Sequence, residues 1–168
     1  MINLQYVHKE SFSAQRLIGR RHTNADRVDG GYGARWKECF SSGFFTRLEA
    51  VAQPWAVNAP VGFMRCDGNE RFEYWIGRLF PADTEVPEGY DYLDLPASDV
   101  GVVWLRGKEK DGIYGQHERC EQAMLKQGWE FFIDPQGNKL FFERYFPDRF
   151  DRLDSKKRII LDYGFYIK

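Results

Sequence analysis

The sequence predicts an α+β fold, and three observations predict it. Two tight-turn signals, Asp67-Gly68-Asn69 and Gln136-Gly137-Asn138, each lie between short aromatic runs, the pattern of antiparallel hairpins. Two stretches carry apolar residues at helical spacing. The order strand, helix, hairpin then occurs twice, so the chain reads as one unit written two times. We therefore expect a single domain over residues 1–168 made of duplicated strand-helix-strand-strand halves, at about 12–80 and 90–167. A pseudo-twofold would relate the halves, and both would contribute to one antiparallel sheet with two main helices.

The elements follow in order. Phe12 to Arg21 predicts a first strand, and Asn24 to Gly33, with Gly30-Gly31 inside it, a loop. Trp36, Phe40, Phe44 and Leu48 recur every fourth residue and draw an apolar stripe on a helix, which Gly43 is placed to break in two. Gln53 to Pro60 holds two prolines and predicts a loop. Val61 to Arg65 and Phe72 to Leu79 flank the first turn. Tyr90 to Leu95 and Val100 to Arg106 predict two further strands, the second entered through Pro96-Ala97-Ser98. A second helix is expected over Gly112 to Gln127, with Asp111 as N-cap and Gly128 at the stop. Ile113, His117, Cys120 and Met124 share its inner face. Trp129 to Ile133 and Lys139 to Phe146 flank the second turn, and Arg158 to Ile167 closes the chain as a strand.

Composition narrows the function. With 14 Phe, 9 Tyr and 5 Trp in 168 residues, there are more rings than a small core needs, so some are expected to line a cavity. A net charge of −1 leaves no basic excess to neutralise a phosphate backbone, so no direct nucleic-acid binding is expected. Three cysteines, Cys39, Cys66 and Cys120, have neither disulfide nor zinc spacing and suit a reducing cytoplasm. No signal-peptide pattern and no apolar run of membrane-spanning length is visible, so a cytoplasmic protein without a membrane partner is expected.

The most telling residue is Glu143, set in the strand Leu140-Phe141-Phe142-Glu143-Arg144-Tyr145-Phe146. Alternation puts Phe141, Glu143 and Tyr145 on one face and Phe142, Arg144 and Phe146 on the other. A carboxylate between rings is costly to bury unless something positive or hydrogen-bonding meets it. That partner is an arginine of the chain, such as Arg144 or Arg149, a protonated partner, or a cationic ligand held by charge and cation–π attraction together. Superposing the two turns sets Phe72 on Phe141 and Tyr74 on Glu143, which favours Tyr74 inward. Trp75 is its neighbour on the strand, and Trp36 stands on the helix stripe; both join the ligand-binding candidates. Tyr145 is placed to give its hydroxyl to Glu143 or to a ligand. His117, Cys120 and Glu121 form a corner of metal-ligating types, but nothing supplies the remaining ligands, so no metal is expected. Gly30-Gly31-Tyr32-Gly33 lacks the phosphate-loop ending, no Gly-x-Ser-x-Gly elbow is present, and no cofactor is expected.

An ordered series, Phe72-Glu73-Tyr74-Trp75-Ile76-Gly77, Val86-Pro87-Glu88-Gly89-Tyr90, Leu95-Pro96-Ala97-Ser98 and Glu143-Arg144-Tyr145, resembles the GyrI-like effector-binding domain, the ligand-binding domain of BmrR- and Rob-type regulators. Arg16-Leu17-Ile18-Gly19 followed by Trp36 fits that family's opening, and the likeness runs from about Phe12 to Ile167. It implies a pocket between the two halves. It also implies that a buried glutamate at the position of Glu143, with aromatic rings around it, meets lipophilic cations. About eleven residues precede Phe12, too few for a helix-turn-helix, so the expectation is a stand-alone member. The resemblance also implies an alternative, a hydrolase that opens the cyclopropane of DNA-alkylating natural products. Glu143 would then be the general base, with Tyr74 or Tyr145 polarising the carbonyl. A protein partner such as gyrase is suggested only by the family's name-giving member.

Overall fold

A computed structural model of the chain describes residues 1–51 and 56–168. Eight strands form one antiparallel sheet: β1 (Asn3–Phe12), β2 (Gln15–Thr23), β3 (Val61–Cys66), β4 (Phe72–Pro81), β5 (Asp91–Leu95), β6 (Ser98–Gly107), β7 (Lys139–Arg144) and β8 (Ile159–Ile167). Their order across the sheet is β1-β6-β8-β7-β3-β4-β2-β5. Three helices, α1 (Gly33–Ser41), α2 (Phe44–Val51) and α3 (His117–Lys126), complete the described residues. None of them is long and apolar enough to cross a membrane.

Connectivity forces the sheet to curl. Strand β1 is first in the order and β2 seventh, which in a flat sheet would set them roughly 29 Å apart at the usual strand spacing. Only Ser13 and Ala14 join them, a link that reaches about 10 Å at most. Pro96-Ala97 makes a comparable jump from β5, at one edge, to β6, second from the other. The ends of the sheet therefore approach each other. One apolar cluster fills the space they enclose. It draws Leu17, Leu95, Val100, Phe63 and Phe142 from strands on both sides of the sheet, and among the described residues no helix contributes a buried side chain to it. Phe12 at the end of β1 stacks at 6.1 Å on Phe142 of β7.

The opposite face carries the helices. Cys39, Phe44, Phe45 and Leu48 from α1 and α2, and Cys120 and Met124 from α3, pack with Met64, Tyr74, Ile76, Phe141 and Phe165. Gly43, at φ +75°, parts α1 from α2, as its place in the stripe requires. Both hairpin turns are present, with Gly68 and Gly137 at positive φ, and β3 pairs with β4 across the first.

Several expected boundaries move. The strand expected over Phe12 to Arg21 is the end of β1 and most of β2, two strands on opposite sides of the sheet. Strand β1 itself escapes the alternation rule because its register shifts between Leu4 and Tyr6, which lets Leu4 and Val7 both reach the helix-face core. The helix expected from Gly112 begins at His117, because Gly112 is left-handed and the chain makes two short 3-10 turns first. Asp111 is no N-cap; it accepts a hydrogen bond from the N-terminal amine at 2.8 Å. Gly128 ends the helix as expected, at φ +76°. Trp129 to Ile133 forms no strand but makes single bridges, Phe131 to Ile167 and Ile133 to Lys139. Gln53, Pro54 and Trp55 of the expected loop lie outside the described residues.

One ionic cluster is sealed in this architecture. Asp162 of β8 is fully buried, and Arg144 of β7 is 2% exposed. Arg144 gives Nη2 to Asp162 at 2.9 Å and both terminal nitrogens to Glu10 of β1 at 2.8 Å, while Arg149 Nε reaches Asp162 at 2.7 Å. The Arg144 guanidinium beside Glu10 helps hold that carboxyl down near 2, against the burial that would raise it. Removing one member leaves buried charge behind. Asp162→Ala should cost about 3 kcal/mol or more in a denaturant titration; a loss below about 1 kcal/mol would mean that the cluster does not hold β1 and β7 together.

Candidate functional site

Glu143 lies on β7 beside the β3–β7 seam at the centre of the sheet, opposite Gly62 of β3 on one side and Tyr163 of β8 on the other. Alternation along β7 turns its side chain to the helix face, away from Arg144. At 5% exposure the carboxyl is buried, and every hydrogen bond it makes among the described residues comes from a hydroxyl. Tyr145 donates to Oε2 at 2.6 Å and Tyr74 to the same oxygen at 3.5 Å. Trp36 of α1 donates its indole N–H to the Tyr74 hydroxyl at 2.9 Å, so an indole, a phenol and a carboxyl form one chain. Neither arginine weighed as a partner serves: both Arg144 and Arg149 bind Asp162.

Burial pushes Glu143 up to about 7, and the hydrogen bonds from Tyr145 and Tyr74 offset only part of that. Burial, and then the nearby Glu143 charge, raises Tyr74, Tyr145 and Tyr163 above the ordinary phenol value, so all three keep their protons at neutral pH.

Above these groups lies a cavity of about 870 Å³. Its walls are aromatic: Tyr32, Trp36, Phe72, Tyr74, Tyr145 and Phe150, with Glu143 and Tyr163 also on its surface. The loop 24–33 builds one wall. Val28 and Gly31 exchange backbone hydrogen bonds at 2.9 and 3.1 Å around Asp29-Gly30, both at positive φ, and this tight turn precedes Tyr32. The Tyr32 ring then stacks on Tyr74 at 4.2 Å with 4° between planes, and its hydroxyl is tied to the Thr23 carbonyl at 2.9 Å. Phe40 of the helix stripe is 62% exposed because it stands on the cavity wall, 5.9 Å from the Trp36 ring.

The sequence candidates separate cleanly. Glu143, Tyr145, Tyr74 and Trp36 come together. Trp75 does not join them: it points to the other face, packs in the enclosed cluster and gives its indole N–H to Glu73 at 3.1 Å. Phe141 is on the right face but lies beside the cavity, packed on His117 and Phe165 at 4.7 and 5.4 Å. His117 meets the Tyr163 hydroxyl through Nδ1 at 3.2 Å, and Cys120 is wholly buried in the core. Tyr32, Tyr163 and Gly62 escape the sequence reading. The last had a signal, since a glycine inside a strand marks a close approach. A Cβ on Gly62 would lie 2.4 Å from the Tyr74 hydroxyl oxygen and 3.4 Å from Glu143 Oε2.

No protein-family model matches the sequence, and a search of curated proteins finds none that does. Solved structures do match in fold. A protein of Staphylococcus aureus MU50, described as a bacterial transcription regulation protein, superposes with a TM-score of 0.63 at 16% identity, over 97% of this chain and 98% of that one. SAV2435, solved with tetraphenylphosphonium, matches at 0.66 and 16% identity, over 98% and 94%. EcmrR, solved in a complex with DNA, matches at 0.63 and 13% identity, over 97% of this chain but 57% of that one. At these identities the likeness is one of fold.

Gly62→Ala should drive the Tyr74 hydroxyl away from Glu143 at a cost of about 1–3 kcal/mol in stability. A structure of the variant that keeps the Trp36–Tyr74–Glu143 chain intact would show that the site tolerates a methyl group at this position.

Proposed function

We propose that this chain is a cytoplasmic, GyrI-like small-molecule-binding protein that takes lipophilic, often cationic aromatic compounds into the cavity over Glu143. The observation that carries the proposal is a buried carboxyl on the wall of an aromatic cavity, contacted by hydroxyls and, among the described residues, by no cation. Rings attract a delocalised positive charge through their faces, and the carboxylate supplies the opposite charge where little water competes. The fold likeness to a protein solved with tetraphenylphosphonium supports the same class of ligand. Trp36, Tyr74 and Tyr145 are the proposed contact residues beside Glu143. We place Trp75 and Phe141 in supporting roles, because neither lines the cavity.

The proposal treats residues 1–168 as one domain of two related halves. The strand order supports it, reading β3-β4-β2 outward from the central seam on one side and β7-β8-β6 on the other. That equivalence pairs β4 with β8, whereas the turn landmarks pair Phe72 of β4 with Phe141 of β7, so the two repeat alignments differ by a strand. No observation supports a gyrase contact, and none is proposed.

One observation favours a second reading. A carboxyl near pH 7 beside phenol hydroxyls is the equipment of general acid–base catalysis. In a cyclopropane-opening hydrolase, Glu143 would take a proton from water as the water oxygen bonds to a ring carbon. The breaking carbon–carbon bond would send its electron pair to the conjugated carbonyl, and the Tyr74 hydroxyl would hold the resulting phenolate.

Glu143→Gln separates these ideas. It should weaken tetraphenylphosphonium about ten- to a hundredfold, the worth of one charge-assisted contact, while leaving triphenylphosphine oxide nearly unchanged. Saturable quenching of tryptophan emission by the cation should survive Trp75→Phe and be reduced by Trp36→Phe. Equal losses for both ligands would overturn Glu143 as the charge-reading residue. Turnover of a cyclopropane-bearing alkylator, abolished by Glu143→Gln, would establish the enzyme instead.

A further inference from the structure

Glu143 has an unusual set of neighbours for a carboxylate. Both of its hydrogen bonds fall on Oε2, and Oε1 has no donor among the described residues. The groups nearest it on the packed elements are weak acids or neutral. Strand β3 contributes Gly62 and Met64, and α1 contributes Trp36. Tyr74 comes from β4, and Tyr145 lies one residue past the end of β7. Tyr163, across the ladder on β8, already has its hydroxyl engaged by His117. Cys120 of α3 is fully buried, and Tyr114 from the turn before it gives its hydroxyl to Glu109 at 2.6 Å. Of the charged residues of the cavity, Arg78 is bonded to Glu49 at 2.7 Å and Glu109 takes the Tyr114 hydroxyl, while the hydrogen bonds to the Glu143 carboxyl among the described residues come from hydroxyls. A carboxyl so placed is more stable neutral than ionised until positive charge arrives.

We infer that the cavity takes up a cation in exchange for a proton. Below about pH 7 the unliganded Glu143 is mostly a neutral carboxylic acid, and the entering positive charge expels its hydrogen ion to solvent. The inference rests on the binding reading above and sets its regulation: acid competes with the ligand for one oxygen pair. The burial that lifts Glu143 to about 7 places this competition in the physiological range. The sign follows from the ionised form being the one that binds. Below pH 7 the cation must first displace a proton, so its affinity falls toward tenfold for each further pH unit. Above about pH 8 the group is already ionised and affinity levels off. Neutral ligands displace no proton and feel no such dependence.

The test uses the full chain and tetraphenylphosphonium. Calorimetric titrations in buffers of different ionisation enthalpy should show about half a proton released per cation at pH 7, close to one at pH 6 and almost none at pH 8.5. Affinity should drop about tenfold from pH 8 to pH 6. The infrared band of a protonated carboxyl, present at pH 6, should vanish when the cation is added and be absent from Glu143→Gln. That variant should bind weakly at every pH, with no proton released. Tight binding with no proton release and a flat pH profile would overturn the exchange and leave the binding reading standing. Proton release that persists in Glu143→Gln would overturn it too, by assigning the proton elsewhere. Absence of any binding between pH 6 and 8.5 would remove both.

Discussion

Glu143 and Arg144 are adjacent in sequence and separated by the thickness of a sheet. That separation is the constraint on which the rest of the structure depends. A strand cannot turn two consecutive side chains to one face. The pair therefore presents acid to the helix side and base to the enclosed side, and each buried group must be satisfied where it lies. The base is answered by two carboxylates, Asp162 from the neighbouring strand and Glu10 from the curled-over edge. Among the described residues, the acid is answered by phenols. Had β7 slipped by one residue, Arg144 would face the cavity and a base, not an acid, would stand on its wall.

Curling the sheet makes this division possible. The two-residue links at Ser13-Ala14 and Pro96-Ala97 draw the ends of the sheet together, so one face becomes an interior without help from helices. The helices are then free to stand over the other face, leaving the cavity between α1 and the central strands. The paired charges belong to the closed side, and the open cavity to the side with the helices.

Much of this was legible in the residues. The alternation of Phe141 and Glu143 against Phe142 and Arg144 is the alternation of the folded strand, because β7 is regular over that stretch, and Tyr145 just past its end still meets Glu143. Gly43, Gly68, Gly128 and Gly137 punctuate the chain where their positive φ is needed. What stayed hidden was whatever broke local periodicity or came from afar. The register shift near Leu4 erased the period of β1, and two exposed residues at Ser13-Ala14 gave no sign of a jump across the sheet. Tyr32 sits in an irregular loop, where no pattern announces which way a ring will face. Trp75 stayed a candidate beside the favoured Tyr74, and the folded strand turns Tyr74 to the helices and Trp75 to the enclosed cluster.

Tyr74 is held from three sides. Its ring lies flat against Tyr32 at 4.2 Å, its oxygen receives the Trp36 N–H, and the bare backbone of Gly62 fixes how close that oxygen can come to the seam. A phenol so confined has little rotational freedom left to lose. A guest that binds against it pays almost nothing to order this wall, so the wall is preorganised. In the proposed binding role, different flat guests would meet this wall at similar entropic cost, and breadth of recognition would come from a rigid surface of rings rather than from a pliable one.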